Sequence, residues 1–125
     1  MNIIIYLDVK DLRPSSVFFC DLLQLFAVQH DDDQLDEVIL NHLFIPGFKL
    51  VLRAATVKTD DLSFNLSIQV ENCRLLFEQL VNAPSEKFGW QISNEFFGTY
   101  LSSPIGDQFA VKNELNTKIL LYSEA

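Results

Sequence analysis

The chain has 125 residues and a formal net charge of −8, with 17 Asp and Glu against nine Lys and Arg. Hydrophobic residues make up 49% and charged residues 21%, which is typical of one domain that buries a core and not of a disordered chain. Scattered basic residues provide no clustered basic face, so we exclude nucleic acid as the expected partner.

The first half of the chain predicts one strand, one helix and three further strands. The strand is half-buried, because apolar side chains alternate at Ile3, Ile5, Leu7 and Val9. An amphipathic helix is expected from Pro14 to about Leu25, since apolar residues recur there at helical spacing. Three short runs, 26–30, 37–44 and 48–54, complete the order βαβββ.

The second half repeats this order. A strand at 64–70 precedes a helix that begins after Asn72, a predicted N-cap, and ends near Asn82. Three short runs follow, at 88–93, 95–102 and 107–112. Aligning Val9 with Val70 gives an offset of 61 residues (70 minus 9), about half of the chain, which indicates one module used twice.

These patterns predict a single α+β domain, 1–125, built from two tandem modules. Module one spans 1–55 and module two spans 62–113, joined by the short polar connector 56–61. The C-terminal tail, 114–125, holds an apolar stretch that neither module needs. It predicts either an extra edge strand or a dimer contact.

The cysteines and the N-terminus set the expected location of the protein. Cys20 and Cys73 lie far apart in predicted helices and form neither a disulfide framework nor a zinc site. The apolar start meets an acid at Asp8, too early for a signal peptide, and no apolar run reaches membrane-spanning length. We therefore expect a cytoplasmic protein with no membrane partner.

Two motifs carry a family resemblance. The segment Leu7-Asp8-Val9-Lys10-Asp11-Leu12 and the helix Ser16-Val17-Phe18-Phe19-Cys20-Asp21-Leu22-Leu23 form one, and the hairpin Ser102-Ser103-Pro104-Ile105-Gly106-Asp107-Gln108-Phe109 forms the other. They resemble the opening strand and helix and the D-P-D-G-N hairpin of the vicinal oxygen chelate superfamily, which includes glyoxalase I, extradiol dioxygenases, and the fosfomycin and bleomycin resistance proteins. Two positions depart from the pattern: Ser103 replaces the first Asp of the hairpin, and Gln24 replaces the Gly that closes the helix.

The resemblance covers residues 2–113 and implies curved mixed sheets around a cup-shaped cavity, with helices on the outer face. It also implies four inward metal-ligand positions, which hold Ile4, Val51, Asn65 and Ala110. Three of these cannot ligate a metal, and one Asn does not hold a catalytic cation. We therefore expect no metal and no other cofactor, and an enzyme is the less favoured interpretation. The chain also lacks a nucleophile elbow and a phosphate-binding loop, so no catalytic residue is predicted.

Residues that strand alternation or the resemblance places in or around the cup are candidates for ligand binding. They are Tyr6, Arg53, Gln69, Trp90, Phe96, Tyr100 and Gln108. For each aromatic ring, packing in the core is the competing interpretation. The charge of the ligand stays open, because the net charge favours a cation, whereas Lys49, Arg53 and Lys112 are predicted to point inward and favour an anion.

The leading hypothesis is a metal-free small-molecule binding protein of the bleomycin-resistance type. It would sequester a planar or amphipathic ligand such as an antibiotic, and the resemblance implies a homodimer. One alternative is a metal-dependent enzyme of the glyoxalase or dioxygenase type, in which His30, His42, Glu95 or Glu114 form a non-standard site. Another is a structural module whose cup is filled by its own side chains.

Overall fold

The structure is a computed structural model, and it describes residues 2–32, 34–59, 63–83 and 85–124. Residues 60 and 61 of the predicted connector, and residue 62, where module two is predicted to begin, lie outside the described residues.

Module one has the predicted order βαβββ. Its elements are β1 (Ile3–Val9), α1 (Leu12–Val17) continuing as a π-helical turn (Phe18–Leu22), β2 (Phe26–Asp32), β3 (Glu37–His42) and β4 (Phe48–Ala54). The strands form a sheet in the order β1-β4-β3-β2, and β1 runs parallel to β4.

Module two repeats this architecture with one added strand and one added short helix. Its elements are β5 (Leu66–Gln69), α2 (Cys73–Asn82), α3 (Ser85–Phe88), β6 (Trp90–Ser93), β7 (Leu101–Ser103), β8 (Gly106–Asn113) and β9 (Lys118–Glu124). The sheet order is β5-β9-β8-β6, with β7 also paired to β8, and β5 runs parallel to β9. The predicted α+β fold of two tandem βαβββ modules is confirmed.

The predicted boundary of module two at residue 113 is wrong. Strand β9 lies inside the sheet, between β5 and β8, as β4 lies between β1 and β3. The tail is therefore the fourth strand of the module and not an extra edge. The misplacement came from the predicted strand 95–102, in which only residues 101 and 102 belong to a strand, β7. Strands β6 and β7 therefore share one edge of β8.

Strand alternation separates a face packed under the helices from an opposite face, which we call the cup face. Leu7, Leu50 and Leu52 are buried on the helix side, whereas Tyr6 on the cup face is 53% exposed. Helix α1 packs on β3 and β4 and also on α3 of the second module. The ring of Phe18 stacks on Trp90 at 5.5 Å, so the two modules share one aromatic core.

The start of α2 agrees with the sequence prediction, whereas the first helix, with its π-helical turn, spans Leu12–Leu22 and not Pro14 to about Leu25. The backbone N–H of Leu75 donates to the Asn72 side chain at 3.1 Å, which confirms Asn72 as the N-cap of α2. Gln24, which stands where the related pattern has Gly, follows the π-helical turn with a left-handed φ of 57°.

Within the described residues, no helix has the length and apolar character needed to span a membrane.

Candidate functional site

In each module, the third strand in the sheet order ends at a residue whose polar side chain accepts hydrogen bonds from the following turn. These strands are β3 in module one and β8 in module two. In module one, His42 Nδ1 accepts hydrogen bonds from the backbone N–H groups of Phe44 and Ile45, at 3.1 and 3.0 Å. In module two, Asn113 Oδ1 accepts from the N–H groups of Leu115 and Thr117, both at 3.0 Å. His42 lies opposite Phe26 in its sheet as Asn113 lies opposite Trp90, so the two positions are structurally equivalent.

The two turns meet the opposite module differently. In module two, Asn113 Nδ2 and Thr117 Oγ1 donate to the backbone oxygen of Asp8 at 3.0 and 2.8 Å. The equivalent of Asp8 is Gln69, 61 residues later. Among the described residues, no hydrogen bond joins the turn at 43–47 to residues 67–71, and a pocket separates them.

This pocket, which we call the aromatic pocket, has a volume of about 370 Å³. One wall comes from module one and the other from β5, its continuation and β9. The lining residues are Leu25, Phe26, His42, Phe44, Ile45, Phe48, Ser67, Ile68, Gln69, Val70, Glu71 and Tyr122. A mainly apolar cavity with a few polar groups at its edge is the usual form of a small-molecule site.

The module-one wall is a cluster of tilted rings around His42. The imidazole centroid lies 5.0 Å from Phe26, 5.6 Å from Phe48 and 6.2 Å from Phe44. Phe26 is buried and anchors the cluster, whereas Phe44 is 71% exposed at the rim. The rim ring therefore has a free face for a ligand.

His42 is neutral in this arrangement. Because Nδ1 accepts two backbone hydrogen bonds, it carries no proton, and the proton of the neutral ring lies on Nε2. Burial also lowers the pKa of His42 below its ordinary value of 6.5. The imidazole therefore adds an aromatic surface to the pocket and no positive charge at neutral pH.

Another pocket, of about 350 Å³, lies beside Asn113, between the start of α1 and the strands β6 and β8, but its lining is polar. Asp11, Lys112 and Glu114 are among the residues around it. Glu114 forms an ion pair with Lys10 at 2.9 Å, so part of this charge is already paired. The aromatic pocket is the better candidate, because apolar lining supplies most of the binding energy for a small organic ligand.

Tyr6 and Arg53, two of the predicted ligand residues, lie together on the cup face of the first sheet. The Arg53 guanidinium carbon lies 4.9 Å from the Tyr6 ring centroid, and Arg53 also pairs with Asp8 at 3.3 Å. Both are outside the aromatic pocket. Their mutual contact accounts for their positions without a ligand.

Gln69 and Gln108 lie on the cup face of the second sheet, one on each side of Tyr122. Gln69 is opposite Tyr122 across β5 and β9, and Gln108 is opposite it across β8 and β9. Among the seven predicted residues, Gln69 is the one that lines the aromatic pocket. Gln108 lies on the other side of Tyr122 and does not line the aromatic pocket.

Trp90 and Phe96 pack against other aromatic rings. Trp90 is 2% exposed and contacts Phe18 and Phe19 in the shared core. Phe96 lies in the turn after β6, with its ring 4.2 Å from that of Phe64. For Trp90, the competing interpretation of core packing describes the structure better than a place in the cup does.

Tyr100 lies on the helix side of the second sheet, where it helps to hold the β7–β8 hairpin. Its hydroxyl donates to Asp107, which also accepts from Ser102 Oγ at 2.9 Å. Both hydrogen bonds lower the pKa of Asp107, and the bond from Tyr100 has the larger effect. Burial raises the pKa of Tyr100, and its hydrogen bond to Asp107 raises it further. The Arg74 guanidinium covers the ring at 4.1 Å, so Tyr100 is a structural residue in this arrangement.

The residues at the implied metal positions do not fit a divalent cation. Ile4 and Val51 lie on the cup face, and Asn65 Oδ1 accepts a hydrogen bond from the Lys118 backbone. The fourth implied metal position, predicted at Ala110 on β8, moves to β9, because β9 and not β8 lies beside β5. Val51 pairs with Tyr6 as Leu120 pairs with Ser67, so the equivalent residue is Leu120 and not Ala110. Neither side chain has a donor atom for a metal.

The residues of the alternative metal site do not come together. Glu95 pairs with Lys112 at 2.6 Å, Glu114 pairs with Lys10, and His42 Nδ1 is occupied by backbone donors. Across the part of the chain that the structure describes, no three His, Cys, Asp or Glu side chains converge as metal ligands would.

The fold is that of the vicinal oxygen chelate superfamily. A bleomycin-binding protein from Streptomyces verticillus, solved with copper(II)-bleomycin, superposes with a TM-score of 0.60 at 17% identity, covering 100% of this chain and 97% of that one. The fosfomycin resistance protein FosX from Listeria monocytogenes gives 0.65 at 14% identity, covering 100% and 91%. A glyoxalase/bleomycin resistance protein/dioxygenase from Alicyclobacillus acidocaldarius gives 0.55 at 14% identity, covering 99% and 91%.

These likenesses confirm the predicted resemblance at the level of the fold. The identities are low, and one fold supports many functions, so they do not define a ligand or a reaction. No protein-family model matches the sequence, and no curated protein matches it.

Proposed function

We propose that this protein binds a planar or amphipathic small molecule in the aromatic pocket, without a metal, and sequesters it unchanged. The cytoplasmic location expected from the sequence and a role of the antibiotic-resistance type are parts of this proposal. Its support in the comparisons is limited to the fold shared with a protein solved in complex with copper(II)-bleomycin.

The observation that carries the proposal is the difference between the two equivalent corners of the fold. In module two, the turn after Asn113 is bonded directly to Asp8. In module one, the turn after His42 stands away from Gln69, and aromatic rings line the space between them. A turn held in position by its own histidine keeps this space open at little conformational cost, and such a preformed cavity favours ligand binding.

The test is thermal unfolding of the purified protein with a panel of planar dyes, cationic antibiotics and small carboxylates. A binder at a concentration far above its Kd stabilises the folded state by about 3 kcal/mol, which gives a clear rise in Tm. Phe44→Ala should abolish the rise for an active compound. The matched control is Ile105→Ala, because Ile105 is also a highly exposed apolar residue, at 87%, and lies outside the pocket.

Two results would contradict the proposal. One is a panel in which no compound class raises Tm. The other is stoichiometric nickel, zinc, manganese or iron in the purified protein, together with turnover of a hemithioacetal or a catechol, which would favour the enzyme alternative.

The homodimer implied by the resemblance is a further part of the proposal. Large apolar side chains at Ile3, Ile4 and Val28 on the first sheet are exposed in the single chain, and dimer formation would cover such residues. Light scattering on a sizing column should give twice the chain mass of 14.3 kDa. A mass equal to that of one chain would contradict the dimer.

A further inference from the structure

We propose that the aromatic pocket selects an organic cation, meaning a compact or flat ligand with an alkylammonium or delocalised cationic group. This inference rests on the proposed function, because it names the ligand class of the same pocket. It also answers the question of ligand charge that the sequence leaves open.

The charge of the pocket lining is the first argument. Glu71 is the charged residue among the lining residues, and no Lys or Arg is among them. Glu71 lies at the exposed rim, where a carboxylate attracts a cation without being buried itself. The net charge of −8 adds a long-range attraction of the same sign.

The rings provide the second argument. Phe26, Phe44, Phe48 and Tyr122 line the pocket together with the neutral imidazole of His42. The negative faces of phenyl and phenol rings attract a cation placed over them, and several such rings around one cavity are the usual recognition site for quaternary ammonium groups. An anion would meet the same faces unfavourably.

The predicted inward basic residues do not oppose this assignment. Arg53 is paired with Asp8 at 3.3 Å and Lys112 with Glu95 at 2.6 Å. Lys49 follows Phe48 directly on β4, so it points to the other face of the sheet. The residues that favoured an anion are thus paired or lie outside the pocket.

The experiment is isothermal titration with three meta-substituted phenols, of which the cation and the neutral analogue have the same shape. They are (3-hydroxyphenyl)trimethylammonium, its neutral carbon analogue 3-tert-butylphenol, and 3-hydroxybenzoate as the anion. We expect the cation to bind about tenfold more tightly than the neutral analogue, and added salt to weaken only the cation. Glu71→Gln should remove most of this preference, and Glu78→Gln, on the exposed face of α2, should leave it unchanged.

The outcomes separate the ligand class from the proposed function. If 3-tert-butylphenol or the anion binds as tightly as the cation, the assignment of ligand class is wrong, while pocket binding itself is supported. If wild type and Glu71→Gln show the same preference for the cation, the role of Glu71 is wrong. If no probe binds and the wider panel also fails, both proposals are overturned.

Discussion

Asn113 Nδ2 donates a 3.0 Å hydrogen bond to the backbone oxygen of Asp8, a residue 105 positions earlier in the chain. The same carbonyl accepts from Thr117 Oγ1, and the Asn113 side-chain oxygen holds the turn between them. One side chain therefore fixes the last turn of module two and attaches it to the first strand of module one. Such a shared, buried network links the two modules into one cooperative unit.

Asn113→Ala should destabilise the protein strongly. It leaves the buried N–H groups of Leu115 and Thr117 without their acceptor, so the free energy of unfolding should fall by about 3 kcal/mol. Thr117→Val removes one donor and should cost about 1 kcal/mol. Urea unfolding measures both, with the exposed Thr99→Val as the control. An Asn113→Ala protein as stable as the control would show that the junction is not needed.

Gly106→Ala should be poorly tolerated. A Cβ at this position would lie 2.2 Å from the backbone oxygen of Ser123 on β9, and φ is 149°. The clash should displace the backbone and lower the free energy of unfolding by about 1–3 kcal/mol, in addition to the cost of a non-glycine residue at this φ. Gly98→Ala is the matched control, because its φ is also positive but no atom lies within 4 Å. Equal losses of stability in the two variants would contradict the predicted clash.

Gln24→Gly should stabilise the protein. Gln24 adopts a left-handed φ of 57° at the end of the first helix, a conformation that costs a non-glycine residue about 1–2 kcal/mol. Glycine removes this cost but gains freedom in the unfolded chain, so we expect a net gain of about 0.5–1 kcal/mol in the free energy of unfolding. A loss of stability would mean that the Gln24 side chain contributes more than the strain costs.

His42 should make stability depend on pH in the weakly acidic range. Because burial lowers its pKa in the folded state, the unfolded chain binds more protons as the pH falls through the ordinary value of 6.5. The free energy of unfolding should therefore be highest above this value and decline below it. Protonation of Nδ1 would also remove the acceptor for the turn at Phe44.

Two variants isolate this effect in urea unfolding measured from about pH 7 to about pH 5. His42→Asn replaces the ring with the residue that holds the equivalent turn at Asn113, and it should remove most of the pH dependence. His30→Asn changes the other histidine and should retain it. The reverse pattern would contradict the prediction. Loss of the Asp107 and Glu95 interactions belongs to a lower pH range, since the pKa values of these carboxyl groups are lowered.

The fold was predictable because the strands and helices of both modules show local patterns in the sequence. Alternation in β1 and β5 and the helical apolar stripes after them gave the order of elements and the 61-residue repeat. The place of β9 was not predictable in the same way. Strand pairing is a non-local choice, and the short β7 leaves the inner sheet position to the tail, where Ile119 and Leu121 are fully buried.

The candidate site was predictable only in part. Gln69 followed from strand alternation, whereas the other lining residues depend on how the modules meet. The burial of Trp90 was not predictable, because an aromatic residue on a strand has the same local pattern whether it lines a cavity or packs in a core. One available signal was missed: Leu43, Phe44 and Ile45 are apolar residues in a turn, where polar residues are usual. A turn that lines an apolar ligand pocket, as Phe44 and Ile45 do here, has a reason to keep apolar side chains.

The most direct test of the account is an NMR titration that follows backbone amide shifts as the best ligand from the panel is added. We predict that the largest changes fall on Phe26, on the turn at 42–48, on 67–71 and on Tyr122, the two walls of the aromatic pocket. Changes centred on Tyr6 and Arg53, on the cup face of the first sheet, would contradict it.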